Sequence, residues 1–225
     1  MHLVFVTPAW QRFAVTRLVL AQRRELCDEL AARGITADCI VVADDENLEI
    51  AGEFGFPTLT RPNLLGYKVN SGIEMALDMG ADYVSFVGSD DWLHPDLFMP
   101  GLMDGETVVS GWKLCQYDLA TGLSKVVSTR SRFGVIPWLV PAQALRGKLV
   151  SNHLESGLDL HLGTAIMEAR WTFHDPHALA RVDFKSDIQM TPYGAGIGPV
   201  APPLAERYPA HLVEQVYSLS EQLAA

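Results

Sequence analysis

The chain has 225 residues, of which 48% are hydrophobic and 20% are charged, and its formal net charge is -10. This length and composition suffice for one sizeable hydrophobic core and exclude a globally disordered chain. Acidic residues outnumber basic ones by 27 to 17, and no basic run is present. Nucleic-acid partners are therefore disfavoured, because non-specific binding to phosphates depends on Lys and Arg.

The cysteine and hydropathy patterns indicate the cellular compartment of the protein. The three cysteines lie far apart without C-x-x-C spacing, which fits neither a zinc site nor a disulfide framework. No stretch approaches the roughly 20 apolar residues that a membrane-spanning helix needs, and the first ten residues lack the pattern of a signal peptide. We therefore expect a cytoplasmic protein with no membrane span.

The first hundred residues alternate between short apolar runs and helix-like periods. Continuous apolar runs predict buried strands, and apolar residues at three- and four-residue spacing predict helices. The predicted strands are 3–6, 37–43, 58–60 and 83–87, and the predicted helices are 12–32, 47–54 and 66–79. This order is typical of βαβ units and a mainly parallel sheet, in which ligands bind beyond the carboxyl ends of the strands.

The second half of the chain predicts mixed α and β structure. Two β-rich runs form a predicted hairpin around Gly122, and the last predicted helix is interrupted near Pro209. A Gly- and Pro-rich stretch at 191–203 predicts a loop. The hairpin runs are 107–118 and 123–129, and the predicted helices are 141–146, 155–170 and 204–223.

Clustered acids follow the fourth predicted strand, in the sequence FVGSDDWLHPDLF at 86–98. Carboxylate oxygens at the edge of a sheet are ligands that Mg2+ and Mn2+ prefer. Asp is also a common N-cap residue, and a helix is predicted to start near Pro95. On this segment alone, a metal site and a helix cap are both open interpretations.

The segment resembles the strand and Asp-x-Asp motif of glycosyltransferase family 2. On that pattern, Asp90 matches the usual metal ligand and Asp91 matches the following acid, whereas Gly88 stands where the first acid is expected. The resemblance implies that Mn2+ or Mg2+ is the cofactor. It also implies that His174, late in the chain, completes the metal site.

Three upstream segments agree with the same family in order and spacing. The segment at 7–10 resembles the first-strand end that cups the nucleotide base, and the acids at 44–45 resemble a pair that binds the base. The stretch at 66–70 resembles a Gly-x-x-x-Asn motif, whose Lys reaches the donor phosphate and whose Asn fixes the loop. The resemblance thus assigns donor binding to Thr7, Pro8, Ala9, Asp44, Asp45, Lys68, Asn70, Ser89 and Asp90.

The acceptor side should supply a general base, because the acceptor hydroxyl must lose its proton during transfer. Family members carry an acidic pair at the start of a helix, and Asp159 aligns with the second acid while Leu158 replaces the first. Glu155, one turn earlier, is the fallback base. The alternative interpretation is an ordinary acidic first turn, which the helix dipole favours.

The resemblance implies a single GT-A domain over 1–225, an α/β fold with a Rossmann-like, mainly parallel sheet and a mixed acceptor-side half. Its parts are a nucleotide-sugar-binding half at 1–105, an acceptor-side half at 106–190, and the Gly/Pro loop with a C-terminal helix at 191–225. The implied activity is metal-dependent, inverting transfer of a sugar from a nucleotide-diphosphate sugar, with a UDP-sugar favoured. The identity of the acceptor stays open, among a protein, a polysaccharide and another glycan.

Two alternatives stay open at this point. Because Gly88 and Leu158 each replace an expected acid, the chain could be a degenerate transferase fold that serves as a binding or scaffold module. A sugar nucleotidyltransferase would use a similar sheet and metal. It is disfavoured because those enzymes place a Gly-rich basic loop directly after the first strand, where this chain has TPAWQR at 7–12.

Overall fold

A computed structural model describes residues 1–111, 113–128, 139–156, 158–174, 177, 179–185 and 204–224. The predicted Gly/Pro loop at 191–203 lies outside the described residues. The strands are β1 (His2–Pro8), β2 (Thr36–Ala43), β3 (Thr58–Thr60), β4 (Tyr83–Phe86), β5 (Asp91–Leu93), β6 (Thr107–Ser110), β7 (Lys113–Asp118), β8 (Ser124–Ser128), β9 (Val140–Pro141), β10 (Arg170–Phe173) and β11 (Arg181–Lys185). The helices are α1 (Phe13–Ala32), α2 (Asn47–Glu53), α3 (Leu65–Asp78), α4 (Ala142–Leu145), α5 (Leu158–Ala165) and α6 (Ala210–Ala224).

The main sheet has five strands in the order β3-β2-β1-β4-β9. The strands β3, β2, β1 and β4 are parallel to one another, and β9 joins the edge of β4 in the antiparallel direction. The chain reaches successive parallel strands through α1, α2 and α3, as a right-handed crossover topology requires. The predicted mainly parallel α/β fold is confirmed.

Alternating side chains of β1 supply both faces of this sheet. Leu3 and Phe5 belong to the core beneath α1, whereas Val4 and Val6 belong to the core beneath α3 and α5. A strand that is buried on both faces has a continuous apolar sequence, because helices cover each side of the sheet. The packing on both faces of β1 therefore fixes the position of its carboxyl end and of the turn that leads into α1.

A second sheet has the order β5-β11-β7-β8. Its strand β5 begins at Asp91, so the acidic motif runs directly into a strand that pairs antiparallel with β11. The helix predicted to start near Pro95 is wrong, because the segment forms only a 3-10 turn at Pro95–Leu97. The apolar side chains Trp92 and Leu93 are buried, and pairing with β11 satisfies the backbone that a helix would otherwise satisfy.

Other predictions for the second half are partly wrong. The run 107–118 contains two strands in different sheets, since β6 pairs with β10 while β7 forms the hairpin with β8. The helix predicted over 155–170 is limited to α5, because Arg170 already belongs to β10. The interruption near Pro209 is confirmed, since a 3-10 turn at Leu204–Glu206 precedes α6.

Candidate functional site

The candidate site lies at the carboxyl ends of β1, β2 and β4, where a parallel sheet normally binds its ligand. A cavity of about 300 Å3 opens there. Its walls are formed by Pro8, Ala9, Trp10, Arg12, Asn63, Leu65, Lys68, Ser89 and Glu155. Two cations and one acid therefore face a common space between the first strand, the acidic motif and the segment preceding α5.

The turn between β1 and α1 has an uncommon backbone conformation. Gln11 and Arg12 have φ angles of 52° and 50°, and such left-handed conformations cost roughly 1 kcal/mol or more for residues other than Gly. Asp45 holds the turn, because its carboxylate accepts a hydrogen bond from the Gln11 backbone N–H at 2.8 Å. Asn47 adds a second tie by donating to the Gln11 carbonyl at 3.2 Å.

This anchoring role limits the base-binding role predicted for Asp45. Its other carboxylate oxygen accepts from the backbone and side chain of Asn47 at 3.1 and 2.7 Å. The neighbouring Asp44 is freer, since 34% of its side chain is exposed. Of the predicted acid pair, Asp44 is thus the better candidate for binding a base.

Lys68 is a buried cation that joins the ends of β1 and β2. Its Nζ donates to the Ala9 carbonyl at 2.7 Å and to the Asn63 side chain at 3.0 Å, and it lies 3.5 Å from Asp44 Oδ1. Burial lowers the pKa of Lys68, and the nearby Asp44 carboxylate opposes that shift. Its predicted contact with a donor phosphate stays a prediction, supported by its position in the cavity wall.

The left-handed turn directs Arg12 toward the acidic motif. One guanidinium nitrogen lies 2.8 Å from Asp90 Oδ2, and another donates to the Ser89 hydroxyl at 3.4 Å. Both members of the ion pair are largely buried, with 15% of the Arg12 side chain and 18% of the Asp90 side chain exposed. The predicted metal ligand is therefore already paired with a cation that also lines the cavity.

Asp91 is buried deeper than Asp90. The guanidinium of Arg181 donates to both of its carboxylate oxygens, at 3.1 and 2.9 Å, and the Gly88 backbone N–H donates to one of them at 3.0 Å. Burial acts to raise the pKa of Asp91, but Arg181 and the Gly88 bond outweigh it and hold the pKa below its usual value.

Asp183 on β11 is a third carboxylate of this cluster and was missed by the sequence analysis. It accepts hydrogen bonds from Lys185 at 2.7 Å and from Gln116 at 3.2 Å. Burial, together with Asp90 and Asp91, raises its pKa to about 7. A strand of alternating charged and apolar residues, RVDFK at 181–185, was the available signal, because such a strand presents one charged face.

The chemistry of the three carboxylates fits a divalent cation. Asp90, Asp91 and Asp183 each offer an oxygen, and these atoms lie within 4.8 Å of one another. Hard carboxylate oxygens are suitable ligands for Mg2+ and Mn2+. Three protein cations partner them, namely Arg12, Arg181 and Lys185, so a metal ion would have to share or replace at least one partner.

Gly88 has a steric reason to lack a side chain. A Cβ added there would overlap Asp90 Oδ1 and lie 3.0 Å from Asp91 Oδ2. The two acids fold back over the Gly88 backbone, so an acid at this position is incompatible with the observed arrangement. The absence of the first acid thus goes together with a particular packing of this loop, in which Asp90 and Asp91 occupy the space beside Gly88.

Two predicted donor-binding residues have buried side chains. The side chain of Thr7 is fully buried with its hydroxyl 3.7 Å from Cys39 Sγ, so its donor contact stays a prediction that only its backbone could meet in this structure. Asn70 is 4% exposed and its side chain bonds Val150 and Asn152, so it fixes that segment instead of touching a donor. Thr7 is interior because β1 pairs with β2, and Asn70 is interior because the segment at 150–152 covers this part of α3.

The role of His174 as a metal ligand stays a prediction, and in this structure its ring makes other contacts. Its Nε2 lies 3.1 Å from the Asp96 carbonyl, and its backbone N–H donates to Ser110. Within the described part of the chain, the metal-competent group around Asp90 does not include it. On the acceptor side, Glu155 lines the cavity. Asp159 lies in α5, and its side chain is outside the described parts.

Solved structures of known proteins resemble this fold. S. aureus TarS, a GT-A-type glycosyltransferase, matches with a TM-score of 0.58 and 15% identity over 83% of this chain and 37% of that chain. TarS 1-349 in complex with UDP matches with a TM-score of 0.59 and 15% identity over 83% of this chain and 61% of that one. The chain therefore spans less than two thirds of the length of these TarS chains.

A further similarity, to the bifunctional IspDF from Campylobacter jejuni, covers 79% of this chain and 50% of that one at 12% identity with a TM-score of 0.49. This value is too low to support an argument. No protein-family model and no curated protein matches the sequence. The structural likeness establishes a GT-A fold. Among the described helices, none is long and apolar enough to cross a membrane.

Proposed function

We propose that the protein transfers a sugar from a nucleotide-diphosphate sugar, with a UDP-sugar favoured, to an acceptor hydroxyl. The observation that carries this proposal is the cavity at the carboxyl end of β1, in a GT-A fold, with Arg12 and Lys68 in its walls. A diphosphate needs positive partners, and a largely buried guanidinium is well suited to bind one through paired hydrogen bonds.

The nucleotide base is proposed to bind beside Asp44, at the end of β2. The carboxylate of Asp44 is partly exposed and lies 3.5 Å from Lys68 Nζ, its one polar side-chain contact within the described residues. It is therefore available to accept a hydrogen bond from a base N–H. Trp10 lines the same cavity, and its ring offers a surface on which a base or sugar can stack.

Asp90, Asp91 and Asp183 are proposed to hold Mn2+ or Mg2+. When bound, such an ion would neutralise charge on the diphosphate and make it a better leaving group. Arg12 lies between Asp90 and the cavity, so its guanidinium is placed to exchange the Asp90 carboxylate for a donor phosphate. Ser89 contacts the same guanidinium and limits the directions in which it can move.

Proton removal from the acceptor is proposed to fall to a carboxylate near the start of α5. Glu155 reaches the cavity wall, and Asp159 follows it by four residues in α5. A base on the side opposite the diphosphate would give inversion, because the acceptor oxygen then attacks as the leaving group departs from the other face. The acceptor class stays a protein, polysaccharide or other glycan.

Calorimetric titration tests the donor site. UDP, GDP and dTDP are titrated into the wild type, Asp90→Asn and Asp28→Asn, each with and without Mn2+. We expect Mn2+-dependent binding of one nucleotide that weakens at least about tenfold in Asp90→Asn, the effect of losing a carboxylate ligand. Asp28→Asn is a charge-matched control, since that acid is 71% exposed on α1, and it should bind as the wild type does.

One observation favours a second function, a binding or scaffold module without catalysis. Every carboxylate of the cluster already has a protein cation as partner, so the loop is stable without a metal. Hydrolysis of the bound UDP-sugar in the absence of acceptor separates the two functions. A transferase should hydrolyse it slowly with Mn2+, whereas a module that binds the nucleotide but never releases free sugar would contradict the transferase proposal.

A further inference from the structure

A second cluster of metal-ligating side chains lies on the segment after β5. His94 Nδ1 is 3.3 Å from Asp96 Oδ2, and the rings of His94 and His177 pack edge to face with their centroids 4.7 Å apart. Each of the three residues offers one ligand atom, and these atoms lie within 4.8 Å of one another. None of them belongs to the group around Asp90.

The spacing of the first pair suits a tetrahedral metal ion. Zn2+ lies about 2.0–2.2 Å from nitrogen and carboxylate oxygen ligands, which puts two such ligands roughly 3.3–3.4 Å apart in a tetrahedral site. The 3.3 Å between His94 and Asp96 matches that distance. The Asp96 backbone N–H donates to His94 Nδ1 at 3.2 Å, so the ring proton is on Nε2. The Nδ1 lone pair is engaged in this bond, and metal binding would exchange the hydrogen bond for a bond to the ion.

His177 supplies an independent sign that a ligand is expected here. Both of its ring nitrogens are buried and have no hydrogen-bond partner in the described structure. A buried polar nitrogen without a partner is destabilising, and buried polar groups in native proteins are seldom left so. A metal ion bound to one of the two His177 ring nitrogens would give that nitrogen a partner.

The backbone holds these side chains in place. The His94 N–H donates to the Ala180 carbonyl at 2.8 Å, and the Ala180 N–H donates to the His177 carbonyl at 3.1 Å. Asp96 is 40% exposed, so an ion can enter from solvent, and its other oxygen lies 3.5 Å from Arg33.

We propose that His94, Asp96 and His177 form a binding site for a first-row transition-metal ion, with Zn2+ best suited. Two imidazoles and one carboxylate are borderline ligands that select such ions over Mg2+. The bound ion ties His177, which precedes β11, to the segment that follows β5. Since β5 and β11 also carry Asp91 and Asp183, the site stabilises the strand pair that presents the acidic cluster. It does not require the transferase proposal to be correct.

Zn2+ titration of the metal-free, nucleotide-free protein tests this site, with Co2+ absorption as a second readout of ligand type. We expect one Zn2+ per chain and a visible tetrahedral Co2+ spectrum in the wild type and in Asp90→Asn. Binding should weaken at least about 30-fold in His177→Asn and in Asp96→Asn, more than the tenfold lower bound for losing a supporting residue. His153→Asn, an exposed histidine, is the matched control and should bind as the wild type does.

Circular dichroism before titration tests whether each variant is folded. If His177→Asn does not fold, Asp96→Asn tests the proposal by itself. Unchanged Zn2+ affinity in a folded His177→Asn or Asp96→Asn variant overturns the proposal. So does a loss of the Zn2+ site in Asp90→Asn, because the ion would then belong to the acidic cluster. Failure of nucleotide binding leaves this result untouched, so the two proposals fail separately.

Discussion

Replacing Arg12 by Ala should change metal and nucleotide binding in opposite directions. In the wild type, the guanidinium neutralises Asp90 across 2.8 Å while lining the donor cavity. Without it, Asp90 is left as an unpaired carboxylate beside two other acids. Ala is chosen over Gly because Arg12 has a left-handed backbone, and Gly would also relieve strain at that position.

The magnitude follows from the burial of the pair. Only 15% and 18% of the two side chains are exposed, so a charge-assisted hydrogen bond here is worth about 1.5–3 kcal/mol. If Mn2+ must displace Arg12 from Asp90, removing Arg12 should strengthen Mn2+ binding about 10- to 100-fold, at 1.4 kcal/mol per factor of ten. Binding of UDP at saturating Mn2+ should weaken by a similar factor, because its diphosphate loses the guanidinium.

Mn2+ binding is measured from the free Mn2+ signal in electron paramagnetic resonance, and UDP binding is measured by calorimetry. Arg12→Lys tests charge alone and should lie between the wild type and Arg12→Ala, because an ammonium lacks the paired donors of a guanidinium. Arg24→Ala removes an exposed arginine of α1 paired with Asp28 and should change neither affinity. Equal Mn2+ affinity in Arg12→Ala and wild type would refute the idea that Arg12 and the metal compete for Asp90.

Three further predictions concern the same region. Gly88→Ala places a Cβ against Asp90 and should lower the free energy of unfolding by about 1–3 kcal/mol, measured in urea, while Gly101→Ala, with open space around it, should not. Asp183 has a folded pKa of about 7, above its usual 3.8, so the folded state retains a proton that the unfolded state loses. The wild-type free energy of unfolding should therefore fall from about pH 4 to pH 7 relative to that of Asp183→Asn, and parallel curves in metal-free buffer would contradict the assignment. Gln11 has a left-handed backbone with a φ of 52°, which Gly adopts without strain. Gln11→Gly should therefore raise the free energy of unfolding in urea by about 0.5–1 kcal/mol, after the backbone entropy of Gly is subtracted. A lower free energy of unfolding would show that the Gln11 side chain contributes more than the strain costs.

Local pattern predicts the part of the site that belongs to the sheet. Apolar runs and helix periods place β1, β2 and β4 correctly, and the polar residues after them mark the edge that carries the cavity. Asp44 and Asp90 were predicted in this way, whereas Lys68 was predicted only from the family resemblance. The same approach fails from Asp91 onward, because short strands such as β5 and β11 are set by their pairing partners and carry little periodicity of their own.

The sequence by itself determined the α/β class, the succession of strands and helices in the first half and the acidic motif at the end of β4, since each depends on neighbours within about one element. Only the tertiary structure decided which charges meet. Arg12 reaches Asp90 across 78 positions, and Arg181 reaches Asp91 across 90. Those pairings depend on a left-handed turn and on a strand pair brought together by the core, and no local propensity encodes the distance between two such side chains.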